Sequence, residues 1–290
     1  MLALLLLVAA SPADRAKDVA ARLTIARSAM REIHLAAAAI SEPPLRAAVE
    51  AIVMAPWLPP EAYALAHPAE AERMLRAAGL LEGTLQLPPQ RGSFQTACGG
   101  GDQPYPGGMA VHAWAELVRA RGIGESYRRV HGIKLRDDWL VAASVWHDAL
   151  EAATLPWRDD ASCGPEQRIA GAGAHHVLGI ATALLRHLPE GIVLTIASAQ
   201  AGALDGKARA VCDFIGAASI VANGRAPSNA CSAANLPFEA YTMSLAESDR
   251  PLASAAWSWY AAHTPAGWER FEALIQDGSD IAAWARAALR

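Results

Sequence analysis

The stretch "DDWLVAASVWHDALEAAT", residues 137–154, decides the fold. From Leu140 to Leu150 it is apolar nearly all round. Such a segment reads as a central helix buried on every side, not as a half-solvated surface helix. Yet His147, Asp148 and Glu151 sit inside it. An ionised carboxylate buried without a partner costs several kcal/mol or is forced neutral. The segment therefore predicts both a helical core and a reason for polar groups within it.

Two further apolar stretches pose the same problem. "GMAVHAWAELVRAR", from residue 108, places His112 among Ala, Val and Trp. "GKARAVCDFIGAASIVA", from residue 206, carries Asp213 as its only charge after Arg209. No Lys or Arg lies within the apolar parts beside these groups. One shared divalent cation resolves all of them, because imidazole nitrogen and carboxylate oxygen suit Zn, Fe, Mn, Co or Ni. Successive helical residues point about 100° apart, so His147 and Asp148 flank one ion from neighbouring directions. The expected ligands are His112, His147, Asp148 and Asp213.

In this order and setting, "GGMAVHAWAE", "VAASVWHDALE" and "AVCDFIGAASIVA" resemble the HD-domain superfamily of metal-dependent phosphohydrolases. The resemblance covers roughly residues 105–222. It implies a helical HD-like core, a divalent metal (Mn, Fe, Zn, Co, Ni or Mg) and a small phosphorylated substrate, a nucleotide above all. The spacing HDxxE resembles the nucleoside 5′-monophosphate phosphatases of the superfamily. It implies that Glu151 assists proton transfer; the alternative is a solvated residue near a helix end. His175 and His176 resemble the extra histidines that bind phosphate or a second metal in related hydrolases; the alternative is an N-terminal turn facing solvent. Asp148, Glu151, His175 and His176 are thus the expected catalytic residues. Where two-metal members carry further histidines, this chain reads "TIASAQAGALDG" with Gln200, which points to one ion per chain or to an incomplete second site. Metal-activated water would then attack a phosphomonoester or phosphodiester. Two alternatives stay open: a non-catalytic metal-binding helical module, and an iron-dependent oxygenase of HD type.

The rest of the chain fits this frame. Its 290 residues are 53% hydrophobic and 19% charged, enough for a sizeable core and unlike a disordered chain. The net charge of −4 gives no nucleic-acid surface, so a phosphate needs a local positive site. Helices are expected over 15–40, 45–54, 68–80, 108–121, 137–154, 166–187, 190–200, 206–222, 237–246, 250–263 and 266–288, with no strands: an all-α fold. Lys134, Arg158, Arg168 and Lys207 read as surface charges. Residues 17–90 form an N-terminal helical region, 91–230 the metal-binding core and 231–290 a C-terminal helical extension, with both flanks packed on the core.

Residues 1–16 resemble the apolar run and cleavage site of a secretory signal, although the basic start is missing; the other reading is a first helix packed on the core. No segment reaches membrane-spanning length. The chain is thus expected to be exported if the signal is real and cytoplasmic otherwise. The four cysteines form no CxxC pair, which excludes a zinc ribbon. Cys98 and Cys163, in loop-like sequence, can pair in an oxidising compartment, and Cys212 reads as a buried thiol.

Overall fold

Alanine and leucine fill the apolar segments, and the backbone follows their preference for helix. The computed structural model describes residues 10–88, 92–101, 103–201, 208–225, 236–247 and 250–290. Over these the protein is all-α, with one tiny hairpin.

The helices run α1 (Pro12–Arg22), α2 (Thr24–Ala38), α3 (Pro43–Met54), α4 (Tyr63–Ala66) and α5 (Pro68–Ala77). After a long loop with a 3₁₀ turn at Phe94–Thr96 come α6 (Gly108–His131), α7 (Asp137–Trp146) and α8 (Glu151–Thr154). The hairpin β1 (Arg168–Ile169) and β2 (Ala172–Gly173) leads into α9 (Ala174–Leu185), α10 (Glu190–Ala201) and α11 (Ala208–Asn223). The chain closes with α12 (Phe238–Glu247), α13 (Arg250–His263), α14 (Trp268–Gln276) and α15 (Ile281–Ala288). The apolar run at residues 2–9 lies outside the described residues.

Several expected helices are divided for local reasons. Leu23, with extended backbone, separates α1 from α2. Gly278 and Ser279 adopt left-handed backbone (φ +66° and 57°) and end α14, so the single helix expected over 266–288 becomes two. Strands were not expected at all. Ala170 and Gly171 both have positive φ (53° and 83°), the geometry of a two-residue hairpin turn, and they pair Ile169 with Ala172. The helix expected from residue 166 therefore starts at Ala174, which puts His175 and His176 in its first turn.

α7 lies at the centre and touches α2, α3, α6, α10 and α12. Every residue from Leu140 to Trp146 is buried, as the all-round apolar pattern requires. Trp146 fixes the helix end: its Nε1 donates to Gly179 O at 2.8 Å and to Thr182 Oγ1 at 2.9 Å. The flanks pack onto this core, α2 against α6, α3 against α7 and α12 against both α6 and α10. Among the described residues no helix is long and apolar enough to cross a membrane.

One cross-link braces the region around residues 98–163. Cys98 and Cys163 form a disulfide that ties the glycine-rich loop after the 3₁₀ turn to the segment beyond α8. Cys212 is disulfide-bonded too, not the buried thiol expected from its apolar helix. At the other end of α7, Glu239 of α12 is buried and accepts from Arg136 N at 2.8 Å, Nε at 3.0 Å and Nη2 at 3.0 Å. This clip fixes the start of α7 against α12.

Burial pushes the Glu239 carboxyl up, but the Arg136 bonds outweigh it and hold it below its ordinary 4.5. Glu239→Gln is expected to lower stability by about 1 kcal/mol at neutral pH, the half-exposed Arg136 limiting the loss. A folded-state carboxyl held low contributes above its unfolded value of 4.5, and that contribution is lost as pH falls through the lower folded value. The difference in melting temperature between wild type and variant should therefore be full at neutral pH and shrink in acid.

Candidate metal centre

The end of α7 is where the backbone departs from a regular helix. Residues 147–150 form a tightened turn, with Ala149 N bonding Trp146 O and Glu151 N bonding Asp148 O, each three residues back. Three-residue spacing turns consecutive side chains about 120° apart. His147 thus points into the space beside α6, and Asp148 sits between that space and α9. The doublet stands at a helix end, not in mid-helix as its sequence suggests.

Around it the donors fall into two groups. His112 of α6, His147, Asp148 and Glu247 at the end of α12 form the first, with one ligand atom from each lying within 4.8 Å of all the others. Asp148, His175 and His176 form the second under the same limit. All six residues are buried. Asp148 belongs to both. Its Oδ2 lies 3.2 Å from His112 Nε2 and 3.1 Å from His147 Nε2. Its Oδ1 lies 3.3 Å from both His175 Nε2 and His176 Nδ1. Glu247 Oε2 closes the first group at 3.2 Å from His112 Nε2.

These residues fit a divalent cation. Asp148 Oδ1, His175 Nε2 and His176 Nδ1 are buried with no hydrogen-bond partner, a costly state unless something binds them. The Nε2 atoms of His112 and His147 converge to 3.1 Å. The carboxylates also ask for positive charge here. Burial opposes a charged His147, but Asp148 and Glu116 outweigh it and raise the imidazole to about 9. His112 is likewise held well above its ordinary value: burial opposes its charge, and Glu247 and Asp148 prevail. His176, buried and beside His175, is pushed down to about 4 and so offers a neutral nitrogen.

An outer layer orients the donors, as histidine ligands require. Glu116 Oε2 lies 3.1 Å from His147 Nδ1. His175 donates through Nδ1 to Glu166 Oε2 at 2.6 Å and through its backbone N–H to Oε1 at 2.7 Å. Gln200 Nε2 donates to Glu247 Oε1 at 3.0 Å.

The structure thus brings together His112, His147, Asp148, His175 and His176 but not Asp213. The Asp213 side chain is 41% exposed, with Arg209 at 3.9 Å. α11 packs on α9 and presents Phe214, not Asp213, whose ring stacks 6.1 Å from His176. Glu247 takes the place expected of Asp213. Gln200, which pointed to a single ion, serves instead to hold Glu247, and the donors form two groups where one was expected.

Glu247, Glu116 and Glu166 escaped the sequence reading. Two had a usable signal. Glu116 follows His112 by four residues, so the two share a helix face. Glu247 follows the buried Met243 by four, which puts a carboxylate on the apolar face of α12. Glu166 lies in a loop and carries no periodicity.

Both groups open to one cleft of 510 Å³, lined among others by Gly99, Gly100, Gly101, Glu151, Arg168 and Gly173. Gly100 has left-handed backbone (φ +62°), and a Cβ there would stand 2.9 Å from Glu151 Oε1. Only glycine lets the loop approach that carboxylate. Arg168, expected as a plain surface charge, stands at the rim of this cleft; Lys207 lies outside the described residues. No family model, no curated protein and no solved structure matches this chain.

Metal uptake by dialysed protein, read by elemental analysis, tests the arrangement. Wild type should take up Mn²⁺ or Zn²⁺ in both groups, and Asp148→Ala should lose uptake in both. Glu247→Gln and His176→Ala should each weaken one group alone. Asp213→Ala should bind as wild type does.

Proposed function

We propose that this protein is an HD-type metal-dependent phosphohydrolase that acts on a small phosphoester, a nucleotide above all. One observation carries the reading. The two oxygens of Asp148 face two separate sets of imidazoles at the floor of an open cleft. One carboxylate shared between two donor sets suits a pair of divalent ions, of Mn, Fe, Zn, Co or Ni by their mixed nitrogen and oxygen donors. His112, His147, Asp148 and Glu247 would hold one ion, and Asp148, His175 and His176 the other. When bound, such ions act as Lewis acids on a phosphoryl oxygen and bring a water near neutrality in pKa.

The chain's own residues supply the rest. Glu151 is buried, and its Oε2 has no hydrogen-bond partner. Burial and then the Asp148 charge raise its carboxyl to about 8 in the ion-free chain, which favours the protonated form. That proton lies in the cleft where a leaving oxygen would emerge, which suits Glu151 as the general acid. Asp148 orients the attacking water from beside both donor sets. Arg168 at the rim offers positive charge to the outer phosphoryl oxygens. The Cys98–Cys163 disulfide supports an oxidising compartment and hence export.

A second reading, an iron-dependent oxygenase, is favoured by one feature. His175 and His176 supply the additional histidines which that chemistry needs. Oxygen consumption by the iron-loaded protein separates it from hydrolysis.

Turnover of p-nitrophenyl phosphate and a set of nucleoside monophosphates by metal-loaded protein is the direct test. Glu151→Gln should keep its metal and lower kcat by about 10²–10³-fold. Absence of any phosphoester turnover by fully loaded wild type would sink the hydrolase reading.

A further inference from the structure

A second cavity of 420 Å³ adjoins the metal cleft. The two share Gly100, Gly101 and Leu155 as lining, so only that thin wall divides them. The wall is held in place by the Cys98–Cys163 disulfide, since Cys163 itself lines the second cavity. Among the described residues that line the cleft, none is a Trp, Tyr or Phe. The second cavity has Trp257 and Phe271 on its surface.

These aromatic rings are fixed. Trp257 lies 5.5 Å from the Tyr105 ring, 5.7 Å from Tyr260 and 6.4 Å from Phe271, centroid to centroid. Phe271 is buried, whereas Trp257 is only partly so, which leaves indole surface toward the cavity. The polar groups at the edge are sparse. Asp160 Oδ1 is engaged by Ser162 N at 2.9 Å and Oγ at 2.6 Å. Arg270 Nε donates to Pro265 O at 2.8 Å, and its guanidinium pairs with no carboxylate among the described residues. The cavity therefore offers a flat apolar face and one donor fork, a combination that suits a planar ring bearing acceptor atoms.

We infer that this cavity is the leaving-group subsite, which takes the planar ring of an aryl or nucleoside phosphate while the phosphoryl group lies at the metal cleft. The inference rests on the hydrolase reading for the phosphoryl half of the substrate. The shared lining selects the occupant: a small phosphoester seated on the donors of α7 and α9 has the adjoining cavity as the nearest space for its organic half.

Steady-state kinetics on the metal-loaded full chain test this, with 1-naphthyl phosphate and adenosine 5′-monophosphate as ring substrates and glycerol phosphate as the ringless one. Trp257→Leu keeps an apolar side chain and removes the flat ring. It should raise KM for a ring substrate about tenfold, the cost of one lost stacking contact, and leave kcat and the glycerol phosphate constants unchanged. Trp257→Phe should restore most of the loss. Circular dichroism confirms that each variant is folded. Response with naphthyl phosphate alone supports the subsite and assigns it an aryl ring; response with the nucleotide assigns it a nucleoside. Equal loss on ring and ringless substrates, or no loss on either, overturns the subsite while hydrolysis stands. If wild type turns over no phosphate, the hydrolase reading falls by itself. Calorimetric titration with adenosine and 1-naphthol then decides the cavity. Binding that is lost in Trp257→Leu and kept in Trp257→Phe supports it, and no binding overturns it.

Discussion

A single buried carboxylate, Asp148, organises the protein. A carboxylate has lone pairs on two oxygens and can serve two sets of partners at once. Here Oδ2 meets the imidazoles of α6 and α7, and Oδ1 meets the pair at the start of α9. Three helices therefore converge on one side chain. The tightened turn after Trp146 contributes, because it spreads His147 and Asp148 about 120° apart instead of the 100° of a regular helix and so lets Asp148 face α9 as well as the space beside α6.

The surrounding fold holds that point rigid from several sides. The Trp146 indole locks the end of α7 to α9, and the Arg136–Glu239 clip locks its start to α12. Glu166 and Gln200 come from different elements and each orients one donor, while the Ser144 carbonyl holds His147 Nδ1 with Glu116 beside it. Such layering keeps a set of like charges together in a dry interior, where isolated ones would be expelled or neutralised. The loop that carries Gly100 completes the wall beside Glu151, and the disulfide at Cys98 keeps it there.

Much of this was legible in the sequence where periodicity reports burial. The all-round apolar 140–150 segment announced a central helix, and His112, His147 and Asp148 stood out as polar groups that such a helix must neutralise. The His pair at 175–176 was picked out, but inside a helix expected from residue 166; its place in a first turn follows from the hairpin. Asp213 misled because an isolated charge in an apolar stretch looks buried, yet α11 turns that side to solvent and gives Phe214 to the site. Glu247 was obscured by its position at the end of a short helix, where charges are usually solvated. The hairpin at 168–173 depends on a left-handed Ala170 that no local preference foretells. The tightened turn is a tertiary effect, with Trp146 anchored to residues far along the chain.

The placement of Glu247 on α12 has a consequence for biogenesis. During synthesis the chain emerges from its N-terminal end, so both histidine pairs and Asp148 leave the ribosome well before Glu247 does. The pocket formed by α6, α7 and α9 then lacks its last oxygen ligand until the C-terminal third docks. Completion of the first donor group is thereby deferred to the close of folding, whereas Asp148, His175 and His176 are all made long before. A chain interrupted before α12 would carry every donor of the second group and lack the fourth of the first.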